Sequence, residues 1–520
     1  VWQRGLRVTI TACVVFYGCR YGLGDPTMGV YAVFAVIAFA LLSQATGTPA
    51  QRTRTLLVCL AVGLVVVVIA TYAAATIWLA VLTMFVGGFL VAFAAVGGVH
   101  VVEVSLGLQL LFILPSSPPY DPGSLWSRLI GLTIGLLALI VADRVLWPTP
   151  APQGFDGRLL DAAERVHVLA EGLLQVCRRR GSVGTEELDR RLEDARAACT
   201  GLRLVEVPLA ERPSSPSRMD RGLTHAAGAL RALFGRLAAV RVELREVPDE
   251  RPAQVLSAVS EGLADVRDTL RRTGPVPSFD RLAAAVEAER ARWRSELLQP
   301  ASSVLAREAG SVAGAATLVA ATQAANGQRT LTLAVRAAFG APVPDADAGP
   351  DAPFWYARHS LPYLVWHRVR RNLTPRSVIL QNALRLAVAL AAARWAVGQF
   401  DLSHGLWVLL ATLTLMRTSV RATRGALWPA ILGTTIGAVL TAALLLVAGD
   451  EQLAYVVGFP IFLVGAVLAG PLVGTWAVQA SFTLVVACLF SQVSPPTWQL
   501  AKDRLVDVLV GAALGILVGA

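Results

Sequence analysis

Lysine is almost missing. Of the 46 basic residues in this 520-residue chain, only Lys502 is not an arginine. Charge of either sign is scarce: Asp, Glu, Lys and Arg make up 16% of residues, against about a quarter in an average soluble domain. Together with 55% hydrophobic residues and a mean hydropathy of +0.58, that deficit excludes an ordinary soluble protein and points to a membrane. Cysteine is sparse as well. Cys13, Cys19, Cys59, Cys177, Cys199 and Cys488 form no CxxC or metal-ligand spacing, so they read as small packing residues and no metal is expected. No Walker-type phosphate loop, HExxH or GxSxG run occurs. ATP drive within this chain and the common hydrolase chemistries therefore have no residues to stand on; neither an enzyme nor a bound cofactor is expected.

What is plentiful is arginine, and it is placed unevenly. A net charge of +10 and a pI near 9.8 commonly signal nucleic acid. Here much of the basic excess sits at the ends of apolar segments, where orientation signals belong, so no nucleic-acid partner is expected. The chain begins without Met and stops inside the apolar run "GAALGILVGA". It reads as cropped at both ends, and no cleavable leader is argued from it.

A helix needs about 20 mainly apolar residues to cross a bilayer. Candidate runs lie near 6–19, 27–43, 55–72, 74–97, 99–114 and 129–146, and again near 378–397, 406–416, 427–448, 453–470, 472–490 and 505–520. None alternates as a barrel strand does, and backbone groups in lipid must bond within their own segment, so helices are expected. The two blocks look like copies. "LRVTITA" at Leu6 answers "LRLAVAL" at Leu384 (385 − 7 = 378), and the same shift carries Met28-Gly29-Val30 onto Leu406-Trp407-Val408. Pro118-Pro119 answers Pro495-Pro496, and Arg128 answers Arg504. A parallel repeat predicts two half-bundles related by an axis along the membrane normal.

Arginine-rich short loops stay in the cytoplasm. Arg52 and Arg54 follow the second run, Arg417, Arg421 and Arg424 form a basic loop after the eighth, and "HRVRRNLTPR" precedes the seventh. Counting spans then puts both chain ends and the polar middle inside. That middle has helical periodicity, as in "FDGRLLDAAERVHVLAEGLLQVCRRR", with breaks at "ERPSSPSR" and "RRTGPVPS". The stretch "FWYARHSLPYLVWHRVRR" mixes aromatics with basic residues, as suits an interfacial helix. The expected fold is an all-α membrane protein: two six-helix transmembrane bundles in parallel repeat, separated by a cytoplasmic helical domain. The expected divisions are residues 1–147, first bundle; 148–340, helical domain; 341–377, linker and interfacial helix; 378–520, second bundle.

This layout resembles the aromatic acid exporter superfamily, in particular the fusaric-acid-resistance-like proteins. The local match is "HGLWVLLATLTLMRTSVRATRGALWPAILGTTIGAVL": Trp407 before a helix, three arginines, then Gly433-Thr434 with Gly437. "KDRLVDVLVGAALGILVG" resembles the family's closing helix through Asp503, Arg504 and Gly511. The resemblance covers 378–520 by motif and the first block by layout; Gly63 answers Gly437, but no GT pair accompanies it. It implies a multi-pass plasma or inner-membrane protein that exports small organic acids, often aromatic carboxylates. In related Gram-negative proteins a periplasmic adaptor assists; nothing in this sequence assigns one. A homo-oligomer is also left open.

Ionisable groups within a span are expensive and usually line a cavity or pair with one another. Arg7 and Arg385 hold equivalent places, with Arg394 nine residues further on; they form either a positive belt for a carboxylate or membrane-edge residues that snorkel. Glu103, answered by Gln479, is a candidate for proton coupling or else a structural ion-pair partner. Asp143 and His100 read as structural and interfacial. Gly433, Thr434 and Gly437 either pack helices closely or form a broken helix start along a substrate path. Trp407 either stacks on an aromatic substrate or anchors at the interface, the reading given also to Trp78, Trp126, Trp428 and Trp498. The leading function is gradient-driven efflux of organic anions. The alternatives are an anion channel, by distant similarity to plant malate channels, and a non-transporting envelope scaffold.

Overall fold

The structure is a computed structural model. It describes residues 2–117, 120–148, 153–178, 184–246, 252–297, 304–344, 352–400, 405–416, 420–449 and 451–493. Every regular element among them is helical. The chain divides into two compact units, Val1–Ala151 with Val369–Ala520, and Pro152–Arg368.

The first unit holds both apolar blocks. Its helices are α1 (Trp2–Tyr17), α2 (Pro26–Ile37), α3 (Pro49–Ala73), α4 (Ile77–Phe93), α5 (Val99–Ser116) and α6 (Leu125–Val145) from the first block. The second block gives Val378–Gln399, Gly405–Leu415, Val420–Ala448, Gln452–Leu472 and Thr475–Phe490, which are α14 to α18 once the helices of the middle domain are counted. Among the described residues seven helices are long and apolar enough to cross a membrane; Pro26–Leu42, Gly405–Thr414 and Thr475–Phe490 are apolar but shorter. The expected closing helix, with Lys502, Asp503, Arg504 and Gly511, lies outside the described residues, as do Arg417, Trp498 and both proline pairs.

Local chemistry sets the boundaries. Asp25 caps α2 by accepting from the Met28 amide, with Pro26 next to it in the first turn; Thr48 and Gln51 close a capping box on α3. Ser377 caps α14. Helix α5 is preceded by Gly98 (φ 114°, ψ −177°) and α18 by Gly474 (φ 123°, ψ −177°), a backbone state that only glycine adopts readily. The two positions differ by 474 − 98 = 376 residues.

Packing crosses between the blocks. Helix α1 lies on α17, and α14 on α4. Phe16 of α1 meets Phe459 of α17 with ring centroids 5.6 Å apart, and the Tyr17 hydroxyl donates to the Val456 carbonyl at 2.6 Å. One apolar core runs through both blocks. Outward, α3 and α4 expose Val58, Val65, Ile69, Leu82, Val86 and Leu90, a surface suited to lipid. Trp78, Trp126 and Trp428 are exposed. Arg128 is buried at the start of α6, donating to the hydroxyls of Ser124 and Thr71.

The second unit is a helical bundle: α7 (Phe155–Arg178), α8 (Thr185–Thr200), α9 (Arg218–Glu246), α10 (Ala253–Leu270), α11 (Asp280–Leu297) and the long α12 (Val304–Ala338). Apolar residues at three- and four-residue spacing, such as Leu159, Val166, Leu230, Leu237, Val259 and Val266, meet in its core. Its surface arginines sit mostly in exposed pairs such as Arg165–Asp161 and Arg190–Glu187, which add little stability. Burial pushes the His167 imidazole below its usual pKa, outweighing the Glu171 carboxylate 3.4 Å away, which is half exposed and pulls the other way. Helix α13 (Leu361–Asn372) follows a short turn and leads into α14.

Candidate substrate path

The sequence-predicted site residues fall at several places in the first unit. Arg7 lies 3.1 Å from Asp143 Oδ1, while Arg52 Nε donates to Asp143 Oδ2 at 2.8 Å. One carboxylate thus ties together α1, α3 and the last turn of α6. Arg394 is elsewhere. It is 4% exposed, and its Nε donates to the Ser116 carbonyl at the C-terminus of α5, at 3.0 Å. Among the described residues its Nη1 is buried without a hydrogen-bond partner. A buried guanidinium with an idle N–H group is costly unless something answers it. Ser116 lies just before the turn into α6, and Asp143 near the far end of that helix. An α-helix rises ~1.5 Å per residue, so Arg7 and Arg394 are roughly 30 Å apart along the bundle and form no single belt. Arg385 is half-buried on α14, two to three turns before Arg394.

Glu103 accepts a 2.6 Å hydrogen bond from the Thr46 hydroxyl, with His100 Nδ1 3.5 Å away. The carboxylate is held by the loop that follows α2, as an interfacial partner would be. Trp407 corrects the anchor reading. It is 2% exposed and meets Phe490 edge-on at 5.4 Å, because α15 is shielded from the surroundings by neighbouring helices. Helix α16 is also continuous from Val420 to Ala448. Gly433, Thr434 and Gly437 are therefore mid-helix, not at a broken start, and Arg421 and Arg424 belong to its first turns rather than to a loop.

The glycines set a close helix approach. A Cβ on Gly437 would stand 2.8 Å from the Ala480 carbonyl oxygen, and one on Gly433 would run into the Trp476 carbonyl of α18. Gly433→Ala is expected to cost at least ~2 kcal/mol, as overpacking against backbone does. The check is the unfolding temperature of the purified protein, which should drop by several degrees. An unchanged temperature would mean that the helices can part freely at this point.

Beside this contact lies a cavity of about 100 Å³. Leu41 from the end of the second helix, Leu410 of α15, Ala430 and Thr434 of α16, and Gln479 and Phe482 of α18 contribute to its wall. The space has a sequence cause. The buried stripe of α16 is Ala430, Gly433, Thr434, Gly437 and Thr441, whereas that of α3 is Leu56, Cys59, Gly63 and Val67. Small residues on α16 leave volume that larger ones fill on α3. Among the described lining residues the polar groups are neutral: Thr414, Thr434 and Gln479 beside apolar walls. Sequence reasoning missed Phe482 and Thr414 and noted Gln479 only as the answer to Glu103. A position-by-position search for large-to-small exchanges between the blocks is the signal that finds them.

Known proteins place part of this chain. Residues 386–518 match the family described as fusaric acid resistance protein-like. The Escherichia coli (strain K12) inner membrane protein YccS is 26% identical over 155 residues, 29% of this chain and 20% of that protein. An uncharacterized protein, ORF2, of Neisseria gonorrhoeae is 31% identical over 75 residues, 14% of this chain and 18% of that protein. The chain thus spans about a fifth of the length of the curated relatives it matches. No solved structure matches. The matched segment contains α15, α16 and α18, which build most of the cavity, and over that segment the chain is similar to the fusaric acid resistance protein-like family.

Proposed function

We propose that this protein exports small organic anions, aromatic carboxylates among them, across the plasma or inner membrane by a gradient-driven alternation between its two halves. The observation that carries this reading is the cavity at Thr434 and Gln479, built chiefly by the family-matching segment, in a bundle that also buries the idle Arg394 Nη1. Apolar walls suit an aromatic ring, neutral hydroxyl and amide groups orient it, and a guanidinium suits the carboxylate.

Two features support the repeat. Gly98 and Gly474 turn the chain identically before the fifth helix of each block. The packing is reciprocal, with the first helix of each block lying on the fourth helix of the other. Such halves can rock about a shared axis. The exchange of Leu56 for Ala430 then leaves room on α16 where α3 carries a larger side chain. With arginine-rich segments inside, the middle domain is cytoplasmic, the Arg7–Asp143–Arg52 cluster marks the inner edge, and Arg394 stands towards the outer face, on the way out.

The test is flux in proteoliposomes loaded with a radiolabelled aromatic carboxylate. Saturable efflux that rises with an imposed pH gradient is the expected result. Current that follows voltage without a pH gradient would instead make the protein a channel. Absence of both would leave a scaffold and end the transport reading.

A further inference from the structure

Helix α13 is amphipathic, and one of its faces packs on described residues of the protein while the other is largely exposed. Leu364 is fully buried, Arg368 donates to the Ser214 carbonyl, and His367 packs on Trp355 with ring centroids 4.7 Å apart. These contacts fix the back of the helix, as far as Arg368, on the second unit. The front carries Leu361, Val365, Trp366, Val369 and Leu373, the spacing of a single helical stripe. Leu361 is 54% exposed, Trp366 61% and Leu373 50%. The Leu373 amide still donates to the Val369 carbonyl at 3.0 Å, so the stripe is continuous.

Two further facts say what covers it. Residues 352–376 contain Arg358, Arg368, Arg370, Arg371 and Arg376 and no acidic residue, and Arg370 and Arg371 are exposed. Residues 373–377 then link α13 to α14, a helix long and apolar enough to cross a membrane. Five residues reach no further than about 18 Å, so the end of α13 is held within that distance of a bilayer surface. We propose that the front of α13 is a lipid-binding strap, with its apolar stripe sunk into the headgroup layer and its arginines on anionic lipid phosphates. Apolar area and basic charge together give such helices their affinity, and each arginine near an anionic surface adds to it.

The experiment places a fluorophore on the full chain. Trp366→Cys is labelled with an NBD dye and reconstituted in vesicles of phosphatidylcholine alone or with phosphatidylglycerol. The native cysteines, mostly buried, are corrected for with the unsubstituted chain. Arg190→Cys, on an exposed ion-paired surface of the middle domain, serves as the aqueous reference. With phosphatidylglycerol present, the label at 366 should be quenched strongly by lipid carrying a nitroxide near its headgroup, and at least threefold less than the reference by iodide. Arg370→Gln with Arg371→Gln, or removal of the anionic lipid, should lower the lipid quenching at least twofold. Iodide access equal to the reference overturns the proposal. So does protection from both quenchers, which would mean that protein, such as a second copy of the chain, covers the stripe. Quenching indifferent to lipid charge overturns the headgroup assignment.

Discussion

Replacing Arg394 with glutamine is expected to lower saturable organic-anion flux at least tenfold while leaving the protein folded. Hydrogen bonds to charged groups contribute about 1.5–3 kcal/mol, and each 1.4 kcal/mol is a factor of ten. Loss of the guanidinium's contact with a carboxylate thus corresponds to about ten- to a hundredfold. Folding should survive because the glutamine amide can still donate to the Ser116 carbonyl, the one bond that Arg394 makes among the described residues. Arg394→Lys should fall between the two, since it keeps the charge and loses the planar fork. Flux is measured in proteoliposomes at matched protein content. If Arg394→Gln transports as the parent does, the buried cation serves packing alone and the anion takes another route.

Ala430→Leu should abolish most of the flux without weakening the fold. It gives α16 the residue that α3 carries at Leu56, aimed into the cavity rather than into a filled core. Burying three further carbons contributes up to ~2 kcal/mol where space exists, at about 0.8 kcal/mol per methylene. The unfolding temperature should hold or rise while transport falls at least tenfold. That combination separates a plugged path from general damage, which lowers both. Undiminished flux in a stable Ala430→Leu protein would remove this cavity from the path.

The fold was legible where a single segment decides. The apolar runs gave most of the described helices of the first unit to within a few residues, because hydrophobic length acts locally; α3 begins six residues before its run, where Thr48 and Gln51 cap it. The basic run around Arg421 was harder. Its arginines suggested a loop, but arginine is a good helix former and the first turns of α16 hold Arg421 and Arg424. Trp407 misled for a related reason. A tryptophan beside a polar loop usually marks the membrane interface, and only the neighbouring Phe490 shows that this one is enclosed. The cavity was not legible at all as a motif. It is volume left between four helices, so it depends on what Ala430 and Thr434 fail to fill. Arg394 was found because an ionisable group in an apolar run is conspicuous by itself; its distance from Arg7 is set by which ends of α5 and α6 each one meets.

The reciprocal packing of α1 on α17 and α14 on α4 has a bearing on biogenesis. A ribosome adds about 5–20 residues per second, so the first block must wait on the order of tens of seconds for the helices that complete it. Over that interval the faces of Phe16 and Gly88 that later meet Phe459 and Leu390 are left to lipid or an insertion chaperone. The length of the middle domain thus adds to the time for which the unfinished seam stays open.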